Sequence, residues 1–233
     1  MDEFKNILAE RRASGSDVAA IIVEPITHFN NKSATPYFYK QLRKITKENG
    51  VTMIVDETRT GMGSTGKMWA HDYWYLHDNP ADIVTFGGKA GVSGFYSNLE
   101  HRTNTPCASF EQNVDMTQVL NFGVTWKAIQ YEKLLELQHD TSSFLKIELG
   151  NLERDQNWIH NVRGNGSFIG FDVESQAVAQ KMERWFARGG IQLLRCGPRT
   201  FGIRSALIFG PKHAASLRES LKYFSMHFEE EQD

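Results

Sequence analysis

The segment Val51-Thr52-Met53-Ile54-Val55-Asp56-Glu57 decides the fold. A run of apolar and β-branched residues that ends at carboxylates is typical of a strand that is buried on both faces of a sheet. Residues 19–24 and 82–86 have the same character. Between the first two strands, Thr35-Pro36 predicts the start of a helix and Gly50 its end. Strand, helix and strand in this order predict a parallel sheet with right-handed crossovers, in the α/β class.

The pattern changes in the second half of the chain. Residues 116–153 are rich in leucine and isoleucine with helical periodicity, and the last third is predicted to be a small α+β unit. Its predicted elements are a strand at 167–172, a helix at Gln176–Arg188, short strands at 191–195 and 206–209, and a closing helix at 212–228. A boundary inside the long helical stretch divides the chain into two predicted domains, 1–130 and 131–233.

Composition excludes several classes of protein. The chain has 233 residues, 40% of them hydrophobic, and a formal net charge of −2. This charge argues against a nucleic-acid partner and an anionic membrane surface. No apolar run approaches the roughly 20 residues of a membrane helix, so no membrane insertion is expected. The amino end lacks the apolar core of a signal peptide.

Cysteine and histidine spacing points to neither disulfides nor metals. Cys107 and Cys196 stand in no paired motif, which favours a reducing compartment and a packing role. The eight histidines have no metal-ligating spacing, so no metal site is predicted.

Asp56 is the first candidate for chemistry, because ligands of parallel sheets bind at the carboxyl ends of strands. An acid there, beside a glycine-rich loop, suits a cationic heteroaromatic ligand. Its carboxylate can keep a pyridinium nitrogen protonated and so strengthen the ring as an electron sink. The alternative is an acid that caps the turn after its strand.

Two cations are the other candidates. Lys89 follows the third strand across two glycines, where a lysine of lowered pKa can form a Schiff base. Arg204 stands beside a predicted strand and can bind a carboxylate through two hydrogen bonds. A surface lysine and a surface ion pair are the respective alternatives.

The stretch from Gly61 to Lys67 matches a phosphate-binding loop only in part. It has the spacing G-x-x-x-x-G-K, but Met68 stands where a Mg²⁺-binding Ser or Thr is required. The acidic strand also comes before this loop instead of after it. A nucleotide-binding function is therefore not favoured.

Taken together, several segments resemble class III aminotransferases of the 4-aminobutyrate aminotransferase kind. They occur in family order, with near-family spacing, over almost the whole chain. The segments are Ile22-Val23-Glu24-Pro25-Ile26, Val55-Asp56-Glu57, Thr65-Gly66-Lys67-Met68-Trp69-Ala70-His71, Pro80-Ala81-Asp82-Ile83-Val84-Thr85-Phe86, Val162-Arg163-Gly164-Asn165-Gly166 and 204–209. The resemblance implies the later part of a fold-type-I transferase that depends on pyridoxal 5'-phosphate. A truncated large domain with a parallel sheet would be followed by a small α+β carboxyl-terminal domain.

The resemblance assigns roles to single positions. Asp56 matches the aspartate that pairs with the pyridine nitrogen, and Arg204 matches the arginine that binds a substrate carboxylate. Arg59 replaces a glutamine near the phenolic oxygen of the cofactor, and Phe29 replaces an acid that gates the substrate arginine. The threonine that reaches the cofactor phosphate of the neighbouring subunit has no clear counterpart around Phe110-Glu111-Gln112-Asn113.

The Schiff-base lysine is the most consequential departure. The family motif places it three residues after Thr85, at Gly88, whereas Lys89 stands one residue later. One residue shifts the Cα by about 3.8 Å, and in extended backbone it reverses the side-chain direction. The family's earlier half, which supplies the phosphate cup, a ring-stacking aromatic and a second substrate arginine, has no match in this sequence.

Two hypotheses follow from the resemblance. In the first, the chain is a pseudoenzyme, a structural subunit of a larger assembly. In the second, it is half of a split enzyme that transfers an amino group from 4-aminobutyrate or another ω-amino acid to 2-oxoglutarate. The catalytic positions of the family are altered while its fold motifs are retained, which favours the first hypothesis. The resemblance also implies a mitochondrial matrix setting, a homo- or hetero-oligomer, and a partner or missing amino-terminal half that covers exposed surfaces.

Overall fold

The computed structural model describes residues 1–102 and 115–228. Within them the chain forms two compact units. Unit 1 comprises Met1–Pro25, Ala34–Met62 and Trp69–Lys127. Unit 2 comprises Ile26–Ser33, Gly63–Met68 and the chain from Ala128 onward. The sequence boundary at residue 130 does not anticipate that the two short segments 26–33 and 63–68 group with unit 2. Cys107 and residues 110–113 lie outside the described residues.

Unit 1 is an α/β unit built on a four-stranded sheet. Its elements are α1 Asp2–Ala13, β1 Ala20–Val23, α2 Pro36–Glu48, β2 Thr52–Glu57, β3 Ile83–Phe86, β4 Gly94–Ser97, and α3 Met116–Tyr131, which continues into unit 2. The strand order is β1-β2-β3-β4. Strands β1 to β3 are parallel, which confirms the predicted sheet, and β4 runs antiparallel to β3. Neither α1 nor β4 was predicted from the sequence pattern.

Helix α2 shows how the sequence sets an element boundary. The Thr35 hydroxyl accepts a hydrogen bond from the Phe38 amide, and Pro36 occupies the first turn. Gly50, with φ of 68°, follows the last turn. Tyr39, Leu42 and Ile45 form the buried face of the helix. Both predicted ends are therefore confirmed to within two residues.

One face of the unit 1 sheet is fully covered. Met53, Val55 and Val84 are 0%, 0% and 2% exposed. They pack with Tyr39 and Leu42 of α2 and with Trp74. Each buried aliphatic side chain of this kind contributes roughly 1.5–3 kcal/mol.

A buried ion pair ties α2 to the sheet. The Arg43 guanidinium donates to both carboxylate oxygens of Asp82, at 2.6 and 2.8 Å. Asp82 also accepts from the Met53 amide at 2.8 Å and from Asn98 Nδ2 at 3.1 Å. These contacts give the Pro-Ala-Asp motif of the sequence a structural role.

Unit 2 is an α+β unit. Its elements are α4 Leu134–Asp155, β5 Ile159–Asn165, β6 Phe168–Val173, α5 Gln176–Arg188, β7 Leu194–Arg195, β8 Thr200–Ile203 and α6 Pro211–Met226. The sheet is antiparallel, in the order β5-β6-β8-β7. Its core includes Trp158, Phe171, Phe186, Phe201 and Phe224, each 1% exposed or less. Helix α5 has the predicted bounds.

The prediction of a strand at 206–209 is wrong. Residues 204–206 have no regular structure, and the strand of this region is β8, which pairs with β6. The carbonyl oxygens of Leu207 and Phe209 instead accept from Gln138 Nε2, at 2.8 and 3.2 Å. A side chain on α4 thus replaces the strand ladder that the apolar pattern suggested.

No helix among the described residues is both long enough and apolar enough to span a membrane.

Candidate functional site

Asp56 lies at the carboxyl end of β2, beside Thr85 of β3 in the sheet register. Its Oδ1 accepts from the Thr58 amide at 2.9 Å, from Thr58 Oγ1 at 2.6 Å and from Thr85 Oγ1 at 3.1 Å. Burial alone would raise the pKa of Asp56. The hydrogen bonds from Thr58 and Thr85, together with the charge of Arg59, outweigh burial and hold the pKa below its usual value. The carboxylate is therefore an anion at neutral pH.

Both predicted roles of Asp56 are compatible with this geometry. The two bonds from Thr58 make Asp56 the cap of the turn after β2. An ionised carboxylate at a strand end is also what a protonated pyridine nitrogen requires. The pairing with a cofactor stays a prediction.

Arg59 is exposed on the loop after β2. It lies near enough to Asp56 for its charge to lower the pKa of that carboxyl. The predicted neighbourhood of these two side chains is thus present in unit 1.

Lys89 is half-buried in a single 3-10 turn, Gly88–Ala90, directly after β3. The turn is closed by the bonds from the Ala90 amide to the Gly87 carbonyl at 3.1 Å and from the Gly91 amide to the Gly88 carbonyl at 3.0 Å. Gly88 has φ of 55°, and a Cβ on it would lie 2.7 Å from the Thr58 carbonyl oxygen. The backbone at the family's lysine position therefore suits glycine.

Glu57 is a buried acid whose contacts were not predicted from the sequence. It is 0% exposed, and its Oε1 accepts from the backbone amide of His71 and lies 2.8 Å from His71 Nδ1. Thr60 Oγ1 donates to the other oxygen. Successive strand residues face opposite sides, so Asp56 and Glu57 could not both face one site. The alternation of side chains along a strand, applied to the Asp56-Glu57 pair, could have shown that Glu57 faces away from Asp56.

Arg204 belongs to unit 2, where its guanidinium has several neighbours. The guanidinium carbon lies 3.3 Å from the centroid of the Phe168 ring. Nη2 donates to Asn31 Oδ1, and Nη1 donates to the Ile203 carbonyl at 3.5 Å. Phe29, in place of the family's gating acid, is 68% exposed. The predicted carboxylate clamp is thus engaged in packing and hydrogen bonds within its own unit.

Cys196 lies beside Arg204, with its Sγ 3.9 Å from Nη2. Burial raises the pKa of this thiol, while Arg204 and Arg163 oppose the rise in part. The side chain is buried at 6% exposure.

Two sequence motifs of the family meet each other in unit 2. Gly166, with φ of 57°, approaches the 64–66 loop so closely that a Cβ would lie 2.3 Å from the Thr65 carbonyl carbon. The Ser167 amide donates to the Ser64 carbonyl at 2.8 Å. These contacts bring the Thr-Gly-Lys and Arg-Gly-Asn-Gly segments together in the fold.

Arg163 secures a neighbouring segment. It donates to the Asn30 carbonyl from Nε at 3.0 Å and to Asp172 at 2.9 Å. Burial would raise the pKa of Asp172, but the bonds from Arg163, Thr200 and Asn161 lower it overall. The motif residues that carry the resemblance in this unit are structural.

Pyridoxal phosphate fits the described residues only in part. Asp56 is an ionised carboxylate at a strand end, as a protonated pyridine nitrogen would need, while the position that the resemblance assigns to the lysine is Gly88, whose backbone disfavours a side chain. Residues 1–102 and 115–228 contain no cluster of His, Cys, Asp and Glu that could hold a metal ion.

Comparisons with known proteins agree with the fold. The family model of aminotransferase class III matches residues 1–224. A 4-aminobutyrate aminotransferase of Dictyostelium discoideum is 39% identical over 199 residues, which are 84% of this chain and 40% of that protein. The mitochondrial 4-aminobutyrate aminotransferase of Sus scrofa is 33% identical over 223 residues, 92% of this chain and 43% of that protein.

Solved structures of low identity share the fold. Lysine aminotransferase from M. tuberculosis superposes with a TM-score of 0.82 at 22% identity, over 94% of this chain and 52% of that one. A transaminase from the marine bacterium Virgibacillus gives 0.81 at 18% identity, over 97% and 56%.

The fold is that of the fold-type-I aminotransferases. More narrowly, the chain belongs to the class III aminotransferase family and is similar to 4-aminobutyrate aminotransferases. It spans about two fifths of the length of these curated relatives.

Proposed function

We propose that this chain is catalytically impaired as an aminotransferase and serves as a structural subunit of a larger mitochondrial assembly. The observation that carries the proposal is Gly88. A lysine placed there would have to adopt φ near 55° and bring its Cβ to 2.7 Å from the Thr58 carbonyl oxygen. Left-handed backbone costs a non-glycine residue about 1–2 kcal/mol, and the steric contact adds to that cost.

Lys89 is a poor substitute for the missing lysine. The 3-10 turn fixes it one residue beyond the family position, with glycines on both sides of the turn. Schiff-base chemistry depends on an amine held within bonding reach of the cofactor, and misplacement by 1 Å already costs about 10²-fold in rate. A shift of about 3.8 Å along the backbone is much larger.

The state of Arg204 supports the same proposal. Its guanidinium stacks on Phe168 and bonds to Asn31, both of them buried residues of unit 2. Binding a substrate carboxylate would compete with these contacts. The proposed role for Arg204 is to hold the segment Ile26–Ser33 in its unit.

The proposed setting rests on similarity. The relatives from Sus scrofa and Homo sapiens are mitochondrial 4-aminobutyrate aminotransferases. A subunit in an assembly would also cover apolar side chains that are exposed in the chain alone, among them Ile22 at 67% and Leu120 at 68%.

The alternative function is half of a split aminotransferase, and the state of Asp56 favours it. The ionised carboxylate, held by three hydrogen bonds, keeps the feature that strengthens pyridoxal phosphate as an electron sink. In this alternative Lys89 supplies the amine and the general base, and Arg204 binds the carboxylate of an ω-amino acid.

A visible absorption spectrum separates the two functions. The chain and its Lys89→Met variant, each purified from the native source with whatever proteins bind it, are incubated with pyridoxal phosphate and desalted. The Dictyostelium 4-aminobutyrate aminotransferase serves as the positive control. The proposal predicts the same spectrum for both forms of the chain, without the visible band of a lysine-bound cofactor. A band that is retained by the chain and lost in Lys89→Met would overturn it.

A further inference from the structure

A cavity of about 640 Å³ opens between helices α5 and α6 of unit 2. One wall is the carboxyl end of α5 with the residues that follow it, and the other wall is the carboxyl half of α6. We call it the α5–α6 cavity and define it by its large apolar lining, which is Trp185, Phe186, Ile191, Tyr223 and Met226. Cavities that bind small molecules measure about 300–1,000 Å³, so this one has the size of a ligand site.

The floor of the cavity is fixed by the core of unit 2. Phe186 is 1% exposed, and its ring centroid lies 5.9 Å from that of Phe224, which is also 1% exposed. The Trp185 ring lies 5.9 Å from Phe224 and 5.7 Å from Tyr223. These distances are typical of aromatic pairs that pack favourably. The aromatic lining is therefore held in place without a ligand, as in most ligand sites.

The backbone at the end of α5 offers few polar groups to a ligand. The Phe186 carbonyl accepts from the Ile191 amide at 2.8 Å, and the Trp185 carbonyl accepts from the Gly189 amide at 3.2 Å. The last carbonyls of a helix need such partners, and here the turn after α5 supplies them. The polar part of a ligand would therefore be bound by side chains.

The lip of the cavity exposes two large apolar side chains of α6. Tyr223 is 55% exposed and Met226 is 73% exposed. They are three residues apart and so lie on the same side of the helix. The tyrosine offers a flat ring, and the flexible methionine can adapt to the outline of a ligand. A ligand with a flat apolar body suits this lip.

The charged side chains at the cavity favour an anion. Arg188 and Lys222 line it together with one acid, Glu219. The Glu219 carboxylate is bound by Arg218, so its charge is already matched. The Lys222 side chain is 44% exposed, and its Nζ lies 3.6 Å from Glu148 in a loose surface pair that contributes little stability. A ligand with one negative charge would be attracted to this rim, whereas a cation would be repelled.

We infer that the α5–α6 cavity binds a small aromatic monoanion. The flat body of the ligand packs against Trp185 and Tyr223, and its acidic group lies beside Lys222. The inference goes beyond the proposed function and does not depend on it, because all of these residues belong to unit 2 and the environment of Asp56 belongs to unit 1.

A second copy of the chain is a poorer occupant. In a two-fold symmetric dimer the same surface of each copy faces the other. The cations Arg188 and Lys222 of one copy would then approach those of the other, and like charges across an interface disfavour association. A small anion brings the opposite charge to the same place.

Photoaffinity labelling tests the inference. The full chain is purified from its native source with whatever proteins bind it, and it is irradiated with 4-benzoylbenzoate, an aromatic monoanion that crosslinks through its ketone. Peptide mass spectrometry locates the label, and the concentration dependence of labelling gives the affinity. The label is expected on the segments 185–191 and 219–226. The neutral analogue 4-benzoylbenzamide should label the same segments about fivefold more weakly, because it lacks the charge that Lys222 attracts.

A charge at the lip gives a second readout. Met226→Glu places a negative charge beside the bound anion and removes an apolar contact, so the affinity for 4-benzoylbenzoate should fall by about tenfold or more. Ile147→Glu on α4 is the control, because Ile147 is also a large apolar side chain of unit 2, with 63% exposure against 73%. It should leave the affinity unchanged.

A matched pair of lysines tests the acidic group of the ligand. Lys222→Gln should weaken binding of 4-benzoylbenzoate about fivefold and leave that of the amide unchanged. Lys212→Gln is the control, since Lys212 is an exposed lysine in the first turn of the same helix. It should affect neither probe. Both lysines are at least partly exposed, so the variants are expected to fold.

Three results would each overturn the inference. They are an absence of label from the two segments, equal affinities for the acid and the amide, and an unchanged affinity in Met226→Glu. The first result would also be found if another protein covers the cavity in the native assembly, and the surface would then be a protein interface instead of a ligand site. None of these results bears on whether Lys89 carries a cofactor.

Discussion

Gly88 and Gly91 lie in one loop and both have positive φ, 55° and 70°. They differ in their surroundings. A Cβ at Gly88 would lie 2.7 Å from the Thr58 carbonyl oxygen, whereas a Cβ at Gly91 would meet nothing within 4 Å. We predict that Gly88→Ala lowers the free energy of unfolding by about 3 kcal/mol and Gly91→Ala by about 1 kcal/mol. Urea denaturation measures both. Equal losses would show that the Thr58 carbonyl gives way easily and that a lysine at position 88 is tolerated.

The environment of Asp82 predicts how much stability is lost when its carboxylate is replaced. Burial would raise the pKa of this carboxyl, but hydrogen bonds from Arg43 and the Met53 amide, and the charge of Arg43, hold it below its usual value. Asp82→Asn leaves Arg43 buried without a charged partner and should cost about 3 kcal/mol at pH 7. Asp17→Asn is the control, since its pair with Arg12 is 61% and 75% exposed. It should cost less than about 1 kcal/mol.

The pH dependence of this pair has a definite sign. The folded-state pKa of Asp82 is depressed, so its contribution is complete above the unfolded pKa of about 3.9 and is lost as pH falls through the folded-state value. The stability of the wild type should therefore fall more steeply than that of Asp82→Asn as pH drops below about 4. Parallel acid limbs in the two proteins would contradict this assignment.

At the scale of elements, the hairpin from β5 to β6 depends on a glycine that packs against another loop. A Cβ on Gly166 would lie 2.3 to 2.6 Å from backbone atoms of residues 64–66, while Gly190, with φ of 73°, has nothing within 4 Å. Both belong to unit 2. We predict that Gly166→Ala costs about 3 kcal/mol or more and Gly190→Ala about 1 kcal/mol, by thermal or urea unfolding. A cost at Gly166 no larger than at Gly190 would show that the 64–66 loop is not held as described.

How far sequence predicts an element depends on whether the signal is local. The ends of α2 follow from Thr35, Pro36 and Gly50, which act through their own backbone, and they agree with the structure. Strand β5 was missed because Ile159–Asn165 is polar and mostly half-buried, without the apolar run of a core strand. The apolar residues at 206–209 were misassigned because their carbonyls bond to Gln138, a contact 69 residues away in sequence for Leu207.

Some features of the candidate site could likewise be predicted from local sequence, and others could not. The position of Asp56 at a strand end was predictable from the apolar run before it, and so was its nearness to the turn that carries Lys89. The left-handed backbone at Gly88 was not, because it depends on the Thr58 carbonyl across the sheet end. The partners of Arg204 also come from distant segments, Asn31 and Phe168, whose approach only the folded chain shows.

At the scale of the whole molecule, the family motifs identify the fold because they are tertiary contacts. Glu57 bonds His71, Asp82 bonds Arg43, and Gly166 packs on the 64–66 loop, each joining two segments of the resemblance or anchoring one of them. These contacts persist where the lysine position has changed. Retention of packing without retention of the Schiff-base position is what the role of a structural subunit requires.

We propose that Lys89 does not carry a cofactor in the molecule's own assembly. The most direct test is borohydride reduction of the protein purified from its native source, followed by peptide mass spectrometry of the segment that contains Lys89. In that assembly any partner polypeptide is in place, so a site that needs two chains has its best chance to form. We expect an unmodified Lys89. A pyridoxyl group on Lys89 would contradict it and establish the chain as part of a working aminotransferase.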